Sequence, residues 1–295
     1  MNQTAYYHVG GHTYEVCFRD DTNTTDLLPS SQPFRTEAPA RGDLLFTLTV
    51  DDRWRPATRG EEIGQFDCGG NNHGVYRLPD GAYQIHVSDV QGRQCCLLQF
   101  TPDFRQGQCC LGGDYPMRTF GLNNALMMMY AFAGSVQQTL LMHASVVRKD
   151  GYGYLCLGVS GTGKSTHTGL WLRHIEGTDL MNDDNPVVRH CPDGVTRVYG
   201  SPWSGKTPCY RQVSAPVGAF LQLKQAPYNK IRRQTVVETF ASLLPSCSVM
   251  KWDAKNYTAT CDTVSAIMQH VPCYLLECLP DEAAAQLSYK TIRAL

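Results

Sequence analysis

Gly158-Val159-Ser160-Gly161-Thr162-Gly163-Lys164-Ser165 is the stretch on which the reading of this chain turns. It fits G-x-x-x-x-G-K-[ST], the pattern of a loop that wraps phosphate groups. Glycines carry no Cβ, so backbone N–H groups can converge on an anion. A lysine adds a positive charge for the outer phosphates, and the hydroxyl that follows can ligate a divalent cation. The context agrees. Tyr152-Gly153-Tyr154-Leu155-Cys156-Leu157 reads as a buried strand, and residues 165–175 read as a helix with Trp171 and Ile175 on one face. A helix behind the loop adds its dipole and its free N–H groups. ATP is therefore the expected ligand, bound by residues 158–165 with Thr166 beside them.

Gly200-Ser201-Pro202-Trp203-Ser204-Gly205-Lys206-Thr207 fits the same pattern in a different setting. Pro208 follows at once and Pro216 soon after, so no sustained helix is expected behind it. Pro202 also lacks an N–H for a phosphate cradle. A second nucleotide site is not expected there, and two readings of Lys206 stay open: a cation reaching a phosphate or an acidic substrate, or a solvated lysine.

The doublet Asp183-Asp184, in Leu180-Met181-Asn182-Asp183-Asp184-Asn185, lies nineteen and twenty residues beyond Lys164. Phosphoryl transfer uses a carboxylate near Mg²⁺ and often another to receive the nucleophile's proton. Adjacent residues on an extended segment point opposite ways, so one aspartate is expected at the metal and the other at the acceptor. The competing reading is a turn built from Asn and Asp side chains. His143 stands just upstream of the loop strand and reads on its own as structural.

Elsewhere, residues 1–115 read as short strands and turns, a β-rich region that could recognise a substrate. Residues 116–295 read as the phosphotransfer domain. Leu122, Leu126, Met129, Ala133, Val136 and Leu140 recur at helical spacing. Residues 217–223 read as a strand, Thr235-Val236-Val237-Glu238 as a capping box opening a helix that Pro245 closes, residues 256–271 as a helix, 273–278 as a strand, and Asp281 onward as a terminal helix.

With 295 residues, 42% apolar and 18% charged, the chain has material for a packed core. A net charge of −1 supplies no global field for nucleic acid or anionic membrane. The N-terminus lacks the pattern of a secretory signal, and the longest apolar stretch, residues 125–134, is too short to span a bilayer. A soluble, cytoplasmic protein is expected. The 13 cysteines show no C-x-x-C spacing and read as buried free thiols.

Taken in order, His143-Ala144-Ser145, the 158–165 loop and Asp183-Asp184 resemble the superfamily of HPr kinase/phosphorylase and phosphoenolpyruvate carboxykinase. Residues 141–225 are similar to a bacterial branch in which Asn182-Asp183-Asp184-Asn185-Pro186 and Ser201-Pro202-Trp203-Ser204-Gly205-Lys206 recur. The resemblance implies an α/β fold with a mixed-sheet P-loop kinase core, and ATP with Mg²⁺ or Mn²⁺. It implies metal contacts from Ser165, Asp184 and His143, and a catalytic base at Asp183. Lys164 and a second cation, Lys206, Arg211 or Arg232, would steady the transferring phosphoryl group. Asn185 stands where carboxykinases carry glutamate, and Thr166 where HPr kinases carry an acidic residue. The expectation is a kinase acting on a hydroxyl of a protein or of a small metabolite. A homo-oligomer is expected by analogy with HPr kinases. Carboxykinase-like transfer to an oxo-acid and a non-catalytic ATP-binding regulator are the alternatives.

Overall fold

The structure is a computed structural model that describes residues 3–39, 44–66, 73–205 and 207–293. It is a mixed α/β chain that divides into two compact units: Met1–Gly134 with Lys251–Asp253, and Ser135–Met250 with Ala254–Leu295. No helix among the described residues is long and apolar enough to cross a membrane.

The first unit is a sheet of nine strands among the described residues: β1 (Gln3–Val9), β2 (His12–Phe18), β3 (Arg35–Thr36), β4 (Leu44–Val50), β5 (Glu61–Phe66), β6 (His73–Arg77), β7 (Tyr83–Ser88), β8 (Gln94–Phe100) and β9 (Gln106–Leu111). Their order is β3-β1-β2-β4-β9-β8-β7-β6-β5, with β2, β4 and β9 parallel and the rest antiparallel. Helix α1 (Tyr115–Ser135) follows. The boundary expected near residue 115 precedes this helix, whereas the compact units divide after it. The helical spacing read through Val136 and Leu140 overshoots. The helix stops at Ser135, Val136 is exposed, Gln138 turns to a positive φ of 53°, and Leu140 lies on a strand. Residues 128–133 are all buried, so the second half of α1 is covered on every side and has no polar face to mark its end.

The second unit comprises β10 (Thr139–Leu141), β11 (Ala144–Lys149), β12 (Tyr152–Leu157), α2 (Lys164–His174), β13 (Asp179–Asp184), β14 (Val187–His190), β15 (Thr196–Tyr199), β16 (Ser214–Gln225), β17 (Lys230–Arg233), α3 (Val236–Leu243), α4 (Ala254–His270), β18 (Cys273–Cys278) and α5 (Glu282–Ile292). Its sheet runs β10-β14-β15-β16-β12-β11-β13, and β18 pairs with both β16 and β17. The pairs β12–β16 and β16–β18 are parallel, and the others are antiparallel. The side-chain alternation of a strand sends Leu155 and Leu157 to one face and Tyr154 and Cys156 to the other. The first face packs with Leu243, Val264 and Ile267 from α3 and α4. The second packs with Leu170 and Trp171 of α2 and with Ala285 and Ile292 of α5. Helices therefore cover both faces.

Local signals settle several boundaries. Thr235 and Glu238 form the expected capping box at α3, and Asp281 caps α5 through the Ala284 N–H. The twelve described cysteines are all unpaired, and nine of them are buried.

Candidate functional site

The glycine loop joins β12 to α2, as the sequence pattern requires. Gly158, Gly161 and Gly163 have φ of 146°, 82° and 107°, values that L side chains rarely adopt. Gly163 is the N-cap of α2, and no side chain caps it. The first N–H groups of a helix have no intrahelical partner, so the start of α2 presents donors toward the loop.

Strand directions bring the remaining groups to the same edge of the sheet. β11 runs antiparallel to both β12 and β13, pairing Ser145 with Cys156 and with Asp183. The end of β12, the start of β11 and the end of β13 are thus neighbours. The loop, His143 and the aspartate doublet emerge together.

Lys164 is 9% exposed, and its ammonium is fully occupied. It donates to the carbonyls of Gly158 (2.9 Å) and Val159 (3.4 Å) and to His143 Nε2 (2.9 Å). Burial lowers its pKa below the ordinary lysine value, against the opposing pull of Asp184 and Asp183. An ammonium can only donate, so His143 Nε2 is the acceptor and the ring proton sits on Nδ1, which donates to Asp184 Oδ1 at 2.9 Å. Both nitrogens of His143 are spent on protein partners. Asp184 also accepts from the side-chain amide of Asn185 (2.9 Å), and it holds a φ of 136°, a strained conformation for an aspartate.

Asp183 is 3% exposed, and its Oδ1 accepts the Ser165 hydroxyl at 2.8 Å. The sequence grouped Ser165 with Asp184; the structure sets Ser165 against Asp183 and links Asp184 to Lys164 through His143. No ion pair involves Asp183 among the described residues. Nor does any group of three or more His, Cys, Asp or Glu among those residues stand ready to hold a metal ion.

The second glycine-lysine segment has no helix behind it and braces the doublet instead. The Ser204 hydroxyl (3.0 Å) and the Gly205 N–H both donate to the Asp183 carbonyl. Asn182, completely buried, donates to Ser201 Oγ and to the Trp203 carbonyl, both at 3.2 Å, and accepts the Asn185 N–H at 3.0 Å. Gly205 needs its missing Cβ, which would lie 3.0 Å from Asp184 Cβ and 3.2 Å from the Asp183 carbonyl oxygen. Lys206, the next residue, lies outside the described residues.

The other expected cations are engaged elsewhere. Arg211 pairs with Asp179 at 2.7 Å and donates to the Leu180 carbonyl. Asp179 begins β13 and also takes Arg148, so Arg211 is held at the opposite end of that strand, about 13 Å from Asp183 at the rise of an extended chain. Arg232 is clamped by Glu238 at 2.7 Å.

A cavity of about 720 Å³ adjoins the loop, lined by Gly161, Thr162, Gly163 and Thr166 and walled further by α2 and by the ends of β16 and β18. β12, β16 and β18 are parallel, so the segments after them all leave the sheet at this edge. The sequence reading passed over this cavity, because its walls come from segments more than fifty residues apart. No family model matches the chain, and no curated protein matches it.

Proposed function

We propose that the chain is an ATP-dependent phosphotransferase acting on a hydroxyl acceptor. The observation that carries this reading is the buried Lys164 ammonium, poised on the carbonyls of Gly158 and Val159, with Ser165 and Asp183 joined beside it. Charge-assisted donors aimed at one place are the main requirement of phosphoryl transfer, which asks for positioning and charge stabilisation more than covalent chemistry.

Within this reading Lys164 exchanges its loop carbonyls for phosphate oxygens, and the first N–H groups of α2 take the remaining phosphate charge. A divalent ion would supply the charge that neutralises the phosphates. Ser165 and Asp183 are the residues that would hold it. A buried carboxylate hydrogen-bonded to a hydroxyl suits magnesium, which takes one or two carboxylates and leaves its other positions to phosphates and water. The base role then passes to Asp184. Its side chain is 35% exposed, against a buried Asp183, so it is the carboxylate an incoming hydroxyl can reach. His143 holds it by one oxygen, and Asn185 holds the other.

Incubation with γ-labelled ATP, magnesium and a panel of hydroxyl acceptors tests the proposal. Label should appear on an acceptor with the native chain, and Asp184→Asn should abolish transfer while ATP still binds. ATP binding with no transfer from the native chain to any protein or small-molecule hydroxyl would favour a regulator.

A further inference from the structure

Among the described residues, Lys164 and Asp184 share no hydrogen bond or ion pair, yet one side chain touches both. The His143 ring lies between them, with Nε2 2.9 Å from the ammonium and Nδ1 2.9 Å from the carboxylate. Its two ends allow one arrangement only. A carboxylate can only accept and an ammonium can only donate, so the ring is the Nδ1–H tautomer. A proton on Nε2 would face the ammonium, and a half-turn of the ring would put carbon at both ends.

The frame around the ring is equally fixed. The His143 N–H donates to the Ser246 carbonyl at 2.6 Å. Before it, the Met142 N–H donates to the Pro186 carbonyl (3.1 Å) and the Leu141 carbonyl accepts the Ser248 N–H (2.8 Å). The second oxygen of Asp184 takes the Asn185 amide. An ammonium has three donors. When Lys164 gives its two loop carbonyls up for phosphate oxygens, its bond to His143 needs no partner exchange. The ring then spans from the cation on the phosphates to the carboxylate that faces the acceptor.

We propose that His143 is a positioning residue, a strut that sets the spacing between Lys164 and Asp184. It thereby aligns the transferring phosphoryl group with the carboxylate that receives the acceptor's proton, and neither of its nitrogens takes up a proton during transfer. The inference rests on the phosphotransferase reading and adds what holds its two halves in register. Reacting atoms must approach to about 3–3.5 Å, and a misplacement of about 1 Å costs about a hundredfold in rate.

Chemical rescue separates a strut from a base. The His143 side chain is 42% exposed, so His143→Gly leaves a gap that opens to solvent. With γ-labelled ATP, magnesium, and water or the hydroxyl panel as acceptor, this variant should lose about a hundredfold in kcat, while its Mg·ATP affinity by calorimetry stays within a few-fold. Imidazole added to the buffer carries one donor and one acceptor and should restore part of the rate. 1-Methylimidazole, of similar basicity, carries the acceptor alone and should not. Equal rescue by both makes His143 a base and overturns the strut, as does an undiminished kcat in His143→Gly. Should neither compound rescue, ring-nitrogen NMR of the native chain decides, with His143→Gln assigning the signal. The Nδ1–H tautomer is expected in the empty chain and with magnesium and a non-hydrolysable ATP analogue. A move to Nε2–H or to imidazolium when the nucleotide binds overturns the strut and leaves the phosphotransferase reading standing. A native chain that binds ATP and transfers to no acceptor overturns that reading and this inference with it.

Discussion

Replacing Asn182 by alanine tests whether the aspartate doublet is held by its neighbours or by its own strand. Asn182 is fully buried, ties Ser201 and Trp203 to the end of β13 by two hydrogen bonds, and holds the Asn185 N–H by a third. Truncation strands the Asn185 N–H, whereas the Trp203 carbonyl keeps the Ser201 hydroxyl at 3.1 Å. Ser201 Oγ keeps its 2.6 Å bond to the Asn185 carbonyl, so it is not orphaned. A buried polar group left without a partner costs about 1–3 kcal/mol. Asn185 is only half-buried, which places its share at the low end. With the lost Trp203 bond added, the cost is about 1–3 kcal/mol of unfolding free energy, to be read from urea titration by tryptophan fluorescence. Asn182→Asp keeps the acceptor for Asn185 but sets a carboxylate against the Trp203 carbonyl, so it should do no better than alanine. Residues 204 and 205 grip the Asp183 carbonyl, so Asn182→Ala should also weaken Mg·ATP binding, by about tenfold, although Asn182 touches no ligand. A stability loss under about 1 kcal/mol, with unchanged nucleotide affinity, would refute the idea that this segment is a brace.

Lys164→Met should act in opposite directions on binding and on stability. It removes charge-assisted bonds to phosphate and should lower Mg·ATP affinity about tenfold to a hundredfold by calorimetry. It also removes an ammonium that burial disfavours, so the empty protein should be as stable as the native chain or more so in urea. Gly205→Ala brings a methyl against both aspartates; transfer should fall by about an order of magnitude while the melting temperature moves little, as differential scanning would show. His167 gives the fold an acid sensitivity of defined sign. Its folded pKa is depressed, so the unfolded chain binds the proton first, and stability falls as the pH drops from 6.5 toward about 4. At ~1.4 kcal/mol per pH unit this amounts to about 3 kcal/mol. Urea titrations at pH 7 and pH 4.5 should therefore show a markedly smaller pH effect for His167→Asn than for the native chain.

What the sequence disclosed was what neighbours along the chain decide. The strand–loop–helix at residues 152–174, the capping box of Thr235 and Glu238 and the strand Cys273–Cys278 are each written in a few adjacent residues. What depends on sheet order stayed hidden. Nothing local says that β11 lies between β12 and β13, yet that order puts His143 between Lys164 and Asp184. Arg211 reads as one of three candidate cations for the phosphoryl group; its partner Asp179 stands at the far end of β13, which draws it away. His167 reads as an ordinary polar position on a helix until Trp171 and Ser288 are seen to enclose it.

Four unfavourable features of the second unit gather around the glycine loop. Asp184 holds a strained φ, Lys164 is a buried ammonium, Asp183 is a buried carboxylate without an ion pair among the described residues, and His167 keeps an unanswered ring nitrogen. All four stand on one edge of one sheet, around one loop. The two faces of that sheet are packed by ordinary apolar residues with helices over them. A fold under selection for stability alone would have no reason to gather such costs in one place, because each is removable by a single substitution. Under the proposed function two of them would find a remedy in one ligand set: phosphate for Lys164 and a divalent ion for Asp183. A nucleotide with its metal would answer both at once, and on that ground phosphoryl transfer is proposed here in preference to a passive anion site.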